Sequence, residues 1–69
     1  MDVRRILGEN VRRIRLTHRL SQEAVAERMG VDRAYVSGIE RGVHNPTLLT
    51  LFHLARALKA SVSDLVEKC

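Results

Sequence analysis

Apolar side chains recur along most of the chain at intervals of three and four residues, and no segment alternates apolar and polar positions for long. The stripe in the first segment consists of Val3, Ile6, Leu7, Val11 and Ile14. This period is typical of an amphipathic helix, whereas strict alternation is typical of a half-buried strand. The pattern predicts an all-α fold whose first helix spans residues 2–18.

Residues that favour helix ends mark four further helices. The predicted N-caps are Ser21, Asp32, Thr47 and Ser61. A side-chain oxygen at such a position accepts a hydrogen bond from an amide in the first turn. Asp64 follows Ser61 at the spacing of a capping box, and Gly30 suits the left-handed backbone that often ends a helix. The predicted spans are residues 22–29, 32–41, 48–59 and 62–67.

The inward faces of these helices supply the rest of the expected core. The candidates are Val25, Ala26, Met29, Val36, Ile39, Leu48, Leu51, Leu54, Ala55, Leu58, Val62, Leu65 and Val66. Val31, just before the cap Asp32, is placed to act as a hydrophobic staple. Gly8 costs some helix propensity, so we expect it to permit a close helix contact. Together these features predict a compact bundle of five short helices that forms a single domain over residues 1–69.

The second and third predicted helices are separated only by Gly30 and Val31, which is the geometry of a helix-turn-helix over about residues 21–41. In such a unit the first helix crosses the DNA backbone, and the second enters the major groove. A helix that enters the groove must not carry large apolar side chains on its outer face. The outer face predicted here consists of Arg33, Ala34, Ser37 and Gly38.

The segment LSQEAVAERMGVDRAYVSGIERGVHNP resembles the helix-turn-helix of the lambda-repressor-like (Cro, XRE-type) family. The matching positions are Leu20, Ser21, Gln22, Glu23, Ala26, Gly30, Val31, Val36, Ser37, Ile39, Glu40, Arg41, Gly42 and Pro46. Further matches before and after the segment are Leu7, Gly8, Val11, Ile14, Arg15, Leu54, Ala55, Leu58 and Leu65, so the resemblance covers nearly the whole chain. It implies the lambda-repressor-like fold, binding to double-stranded DNA, and a recognition helix over residues 32–41.

A narrower resemblance concerns residues 32–41 together with Asn45 and Pro46. This part looks like the recognition region of the small controller proteins of restriction-modification systems. Those are single-domain dimers without a ligand-binding domain. Related strings occur in many other regulators of the wider family, so the controller function is one alternative among several.

The resemblance also implies roles for individual residues. Arg33 is expected to contact a guanine edge through a bidentate pair of hydrogen bonds, with Ala34 against a thymine methyl group and Ser37 against a base or a phosphate. The implied phosphate contacts are Gln22, Tyr35, Arg41, His44 and Asn45. Arg15 and Glu40 match a family pair that forms a partly buried ion pair between the first and third helices.

Four apolar residues near the end of the chain are candidates for a homodimer interface. They are Leu49, Phe52, Val62 and Val66. A contiguous exposed apolar patch marks an interaction surface, and a symmetric dimer combines two half-sites about 34 Å apart. The alternative is that Phe52 and Val66 simply close the core of a small domain.

Composition narrows the chemistry further. The net charge is +4, and ten of the twelve basic residues are arginines, which suits a polyanionic partner. His18, His44 and His53 lack the spacing of metal ligands. Neither a nucleophile–base pair nor a glycine-rich nucleotide loop is recognisable. We therefore expect no enzymatic activity, no metal, no cofactor and no small-molecule ligand.

The single cysteine, Cys69, cannot form an intrachain disulfide and fits a reducing compartment. The sequence contains no apolar run long enough to span a bilayer and no signal-peptide pattern. We expect a cytoplasmic protein that does not contact a membrane.

The leading function is transcriptional regulation by a homodimer on a pseudo-palindromic operator, as a repressor or an activator. The restriction-modification controller is one alternative. A second is an antitoxin-type module whose main partner is a protein. A third is a nonspecific nucleic-acid binder, whose affinity would follow the salt concentration and not the sequence.

Overall fold

α-Helices account for all the regular secondary structure between residues 2 and 67, the part of the chain that this computed structural model describes. They are α1 (Val3–Thr17), α2 (Gln22–Met29), α3 (Arg33–Glu40), α4 (Leu48–Leu58) and α5 (Val62–Val66). Each helix begins and ends within one residue of its predicted span. The predicted all-α fold of five short helices is confirmed, and Cys69 lies outside the described residues.

Three of the four predicted N-caps act through their side chains. The hydroxyl groups of Ser21, Thr47 and Ser61 accept hydrogen bonds from the amide three residues further on, at 3.0, 3.1 and 3.0 Å. Asp64 completes the capping box by accepting the amide hydrogen of Ser61 at 3.0 Å. That hydrogen bond lowers the pKa of Asp64. The stabilisation by this carboxylate is therefore present at neutral pH, and it is lost as the pH falls through the lowered pKa.

Asp32 departs from the prediction. It occupies the N-cap position of α3 with an extended backbone, but its side chain accepts no capping hydrogen bond from the described residues. Its main-chain oxygen instead accepts the amide hydrogen of Tyr35 at 3.0 Å, which already satisfies one donor of the first turn. The carboxylate still places a negative charge at the positive end of the α3 dipole.

The core draws residues from all five helices: Leu7, Val11, Ile14, Val25, Ala26, Val36, Ile39, Leu54, Ala55, Ala57, Leu58 and Leu65. Four predicted core or staple residues are exposed instead: Val3, Val31, Leu48 and Val66. Leu48 is 75% exposed because the buried residues of α4 all lie within residues 54–58, and its first turn extends past the bundle. Periodicity identifies a helix face, but it does not tell whether a neighbour covers that face along its whole length.

A close helix contact lies at Gly8, where α1 meets the end of α3. A Cβ atom at this position would lie 2.5 Å from the main-chain oxygen of Glu40 and 2.6 Å from that of Ile39. Both obstacles are backbone atoms, so a side chain could be accommodated only by moving a helix. The predicted role of Gly8 in a close contact is confirmed. The contact fixes the end of α3 against α1.

Asn10 joins α1 to the end of α5. Its Nδ2 donates to the main-chain oxygens of Leu65 at 2.9 Å and Glu67 at 2.7 Å, and its Oδ1 accepts from Nη2 of Arg13 at 3.1 Å. The Asn10 side chain is buried. A five-residue helix buries little apolar area of its own, so these hydrogen bonds are needed to fix its position.

Replacing Asn10 by alanine should lower the free energy of unfolding by about 1–2 kcal/mol, because two main-chain oxygens lose their donor in a partly buried place. Urea unfolding followed by circular dichroism at a fixed protein concentration measures this loss. Arg13→Ala is the control, since it removes only the exposed partner of Asn10 and should cost no more than about 0.5 kcal/mol. Equal losses in the two variants would contradict the assigned role of Asn10.

Candidate nucleic-acid interface

The α2–α3 pair is joined by a tight turn. Gly30 adopts the left-handed conformation with φ of 72°, and the amide of Val31 donates to the main-chain oxygen of Ala26 at 3.0 Å. The left-handed glycine and this hydrogen bond close the end of α2, and three residues, 30–32, connect it to α3. Val25 and Ala26 of α2 and Val36 and Ile39 of α3 are buried in the common core, so the two helices form one rigid unit.

The beginning of α3 presents its side chains to solvent. Arg33 and Ala34 are exposed, and Ser37, one turn further along the same face, is half-buried. Gly38 was expected on this outer face and is instead buried, because the ring of His44 covers it. The exposed surface of α3 is therefore narrower than predicted, and it consists mainly of the Arg33 side chain and the methyl group of Ala34.

A buried ion pair links α1 to the end of α3. Nε of Arg15 lies 2.6 Å from Oε2 of Glu40, and Nη2 donates to Oε1 at 3.1 Å. The two side chains are only 11% and 5% exposed, respectively. Nη1 of Arg15 also donates to the main-chain oxygen of Leu20 at 2.9 Å, just before α2. The guanidinium group thus connects α1 to the end of α3 and to the segment just before α2.

The same carboxylate reaches the protein surface through Gln22. Nε2 of Gln22 donates to Oε1 of Glu40 at 3.1 Å, and Oε1 of Gln22 accepts from Nη1 of Arg33 at 3.0 Å. Two residues that the sequence assigned to DNA contact, Gln22 and Arg33, therefore touch each other at the first positions of α2 and α3. Sequence reasoning missed the link from Gln22 to Glu40, since a separation of 18 residues carries no periodic signal.

The segment after α3 lies against that helix. The rings of Tyr35 and His44 stack with centroids 4.9 Å apart and an interplanar angle of 28°. Arg41 and Asn45, which lie three residues before and one residue after His44 in sequence, are exposed. The five predicted phosphate contacts therefore fall into two places: Gln22 lies at the start of α2, and the other four lie along α3 and the segment that follows it.

The four predicted dimer residues lie on α4 and α5. Leu49, Phe52 and Val66 are exposed, and Val62 is half-buried. The exposed Leu48 adds to the apolar surface of α4. The alternative that Phe52 and Val66 close the core is wrong, because other residues fill it and these two remain in contact with solvent.

None of the helices within residues 2–67 combines the length and the apolar character needed to cross a membrane. The same residues also contain no group of three or more histidine, cysteine, aspartate or glutamate side chains arranged to bind a metal ion.

A short helix, a three-residue turn and a second helix that exposes an arginine at its start together define a helix-turn-helix DNA-binding domain. The family model described as Helix-turn-helix (HTH_3) matches residues 11–65. The chain belongs to this helix-turn-helix family, which confirms the resemblance drawn from the sequence. It is a transcriptional regulator of this class and not an enzyme.

Three similar proteins span nearly all of the chain. An uncharacterized HTH-type transcriptional regulator, y4dJ of Sinorhizobium fredii, is 46% identical over 66 residues, covering 96% of this chain and 86% of the relative. Control protein C.SmaI of Serratia marcescens is 47% identical over 68 residues, covering 99% and 81%. The crystal structure of the restriction-modification controller protein C.AhdI of Aeromonas hydrophila superimposes with a TM-score of 0.86 at 39% identity, covering 90% of this chain and 94% of that one.

Proposed function

We propose that this chain regulates transcription by binding a pseudo-palindromic DNA operator as a homodimer, with one recognition helix, α3, in each of two successive major grooves. The observation that carries the proposal is the placement of Arg33. It is exposed at the first position of α3, and a hydrogen bond of 3.0 Å to Gln22 holds it beside the start of α2. An arginine fixed at this end of a recognition helix can present two parallel donors to the O6 and N7 atoms of guanine.

Base recognition extends along the exposed side of α3. Ala34 follows Arg33 directly, and its methyl group suits van der Waals contact with the methyl group of thymine. Ser37 lies one turn after Arg33 on the same side of the helix, where its hydroxyl can reach a base edge or a phosphate. Because only one of these three side chains makes charged bidentate contacts, most of the discrimination between bases should come from Arg33.

Phosphate contacts flank this reading surface. Gln22 lies at the N-terminal end of α2, where the helix dipole favours an anion, and its Nε2 carries a second hydrogen for a phosphate oxygen. Arg41 and Asn45 are exposed beyond the other end of α3, and the hydroxyl of Tyr35 is a fourth donor. Contacts of this kind orient the protein on the duplex without reading its sequence. They also make the affinity fall as the salt concentration rises.

Dimerisation is assigned to the apolar patch of α4 and α5, which consists of Leu49, Phe52, Val62 and Val66. Placing a charge there should separate the protomers, and Phe52→Glu is the test, since Phe52 is 53% exposed and its loss leaves the core intact. Leu16→Glu is the matched control, because Leu16 is 54% exposed on α1. Sedimentation should show dimers for the wild type and Leu16→Glu, and monomers for Phe52→Glu. A monomeric wild type, or a Phe52→Glu variant that remains dimeric, would contradict this assignment.

Selection of bound sites from random DNA tests the proposed function as a whole. We expect the enriched motif to have two-fold symmetry, with half-site centres about 10 base pairs, or about 34 Å, apart. A motif without symmetry would reject the dimeric arrangement. If no motif is enriched, and affinity varies only with salt, the protein is a nonspecific binder.

A restriction-modification controller is the favoured subtype. This is supported by the similarity to Control protein C.SmaI over 99% of the chain and by the fold shared with C.AhdI. We expect the gene to lie beside genes for a DNA methyltransferase and a nuclease, and the selected motif to occur in the DNA upstream of them. A gene without such neighbours would leave the regulator function intact and exclude the controller subtype. We place this activity in the cytoplasm.

A further inference from the structure

His44 makes two contacts with α3 that the proposed function does not use. The face of its ring stacks on Tyr35, with centroids 4.9 Å apart and an interplanar angle of 28°. The edge of the ring faces Gly38: a Cβ atom added to Gly38 would overlap Cδ2 and Nε2 of His44. The imidazole therefore occupies the place where any side chain at position 38 would lie.

The backbone just before His44 also contacts Gly38. The amide of Val43 donates to the main-chain oxygen of Gly38 at 3.0 Å. The chain immediately before His44 is thus hydrogen-bonded to the residue that the imidazole covers. Asn45 comes next in sequence and is exposed. Val43 and His44 consequently lie against α3 through one backbone hydrogen bond, one aromatic stack and one edge contact, and Asn45 follows them directly in the chain.

We infer that His44 is a positioning residue, which holds residues 43–45 and the Tyr35 ring on α3 so that their DNA contacts move together with Arg33. Its Nε2 and Cδ2 edge is packed against Gly38, so in this proposal the ring acts by packing and not as a phosphate ligand. This inference rests on the proposed DNA-binding function. It accounts for a glycine inside an eight-residue helix, where glycine is otherwise unfavourable.

Substitutions at His44 separate packing from direct contact. Phenylalanine keeps a ring that can stack on Tyr35, whereas glutamine keeps a polar nitrogen but loses the stack. His44→Gln and His44→Ala should weaken binding to the operator selected from random DNA by about 3-fold to 10-fold, and His44→Phe should stay within about 2-fold of the wild type. If His44→Gln binds as tightly as the wild type, or if His44→Phe is as weak as His44→Ala, the inference is overturned.

Gly38→Ala provides an independent test, because its methyl group should displace the imidazole. In the wild-type background it should weaken operator binding about as much as His44→Ala does. In the His44→Ala background the space is free, so the second substitution should cause no further loss. If the losses of affinity in the two single variants add in the double variant, or if Gly38→Ala leaves the affinity unchanged, the packing of the imidazole against Gly38 does not contribute to DNA binding.

NMR of the free protein tests the contact without DNA. Backbone order parameters for residues 43–45 should fall in His44→Ala and His44→Gln and remain at the wild-type level in His44→Phe. Thermal melts at the same concentration establish that each variant is folded. If the wild type selects no DNA motif, the proposed function fails, while the order parameters still decide whether His44 fixes this segment. Unchanged order parameters in His44→Ala would overturn the inference itself.

Discussion

Replacing Arg15 by alanine is expected to lower the free energy of unfolding by about 3–5 kcal/mol, which is a large part of the stability of a chain of this size. The reason is the burial of Glu40, whose side chain is 5% exposed. Without Arg15, the hydrogen bond from Gln22 at 3.1 Å is the only one that its carboxylate keeps within residues 2–67, and a buried charge without a counter-ion is strongly unfavourable. The main-chain oxygen of Leu20 also loses its donor.

The same helix offers a matched control. Arg5 forms an ion pair with Glu9 at 3.4 Å, but both side chains are exposed. Surface pairs contribute little, so Arg5→Ala should change the free energy of unfolding by no more than about 0.5 kcal/mol. Urea unfolding of both variants at one protein concentration gives the comparison, since association would otherwise alter the apparent stability. Similar losses in Arg15→Ala and Arg5→Ala would show that the Arg15–Glu40 pair is not buried in solution.

A double substitution distinguishes the net contribution of the Arg15–Glu40 pair to the free energy of unfolding from the penalty of leaving one buried charge without its partner. Arg15→Met combined with Glu40→Leu replaces both charges by apolar side chains. Such replacements of buried pairs are often neutral or stabilising. We expect the double variant to be more stable than Arg15→Ala alone. It should nevertheless bind DNA less well, because Gln22 loses the acceptor that orients its amide toward Arg33.

Arg33→Ala is expected to weaken binding to the selected operator by roughly 10-fold to 100-fold, which corresponds to about 1–3 kcal/mol. The side chain is exposed, so the free energy of unfolding should remain within about 0.5 kcal/mol of the wild-type value. Fluorescence anisotropy with labelled operator, at a stated salt concentration, measures the affinity.

Arg12→Ala controls for charge alone, because it removes an exposed arginine from α1. Both variants should lose affinity for unrelated DNA to a similar and small extent, since that binding depends on net charge. Only Arg33→Ala should lose the preference for the operator. Equal losses of that preference in the two variants would mean that Arg33 contributes only electrostatic attraction to the DNA phosphates and does not contact a base.

The helices were predictable from the sequence because their ends depend on local chemistry. Ser21, Thr47 and Ser61 cap the amides that follow them, and Gly30 ends α2 in a left-handed conformation. Asp32 shows the limit of that reasoning, since its position is that of a cap while its side chain makes no capping bond within the described part of the chain. Local spacing determines where a helix begins, and the rotamer of the capping side chain depends on the competing donors and acceptors around it.

The parts that the sequence could not predict depend on contacts between distant residues. Leu48 has the right period for the core and is exposed, because the bundle does not extend as far as the first turn of α4. Gly38 has the right position for the DNA-facing surface and is buried under His44. The bridge from Glu40 through Gln22 to Arg33 depends on three side-chain conformations, which no pattern of residue types specifies.

The most direct test of the central claim, that Arg33 at the start of α3 reads a base, is a comparison of single-base specificity. The affinities of the wild type and Arg33→Ala are measured for the selected operator and for every single-base change in one half-site. We predict that the wild type loses about 1–3 kcal/mol at one guanine, and that Arg33→Ala is indifferent to that position while it retains the preferences at the others. An Arg33→Ala variant that keeps the wild-type preference at every position would contradict the claim.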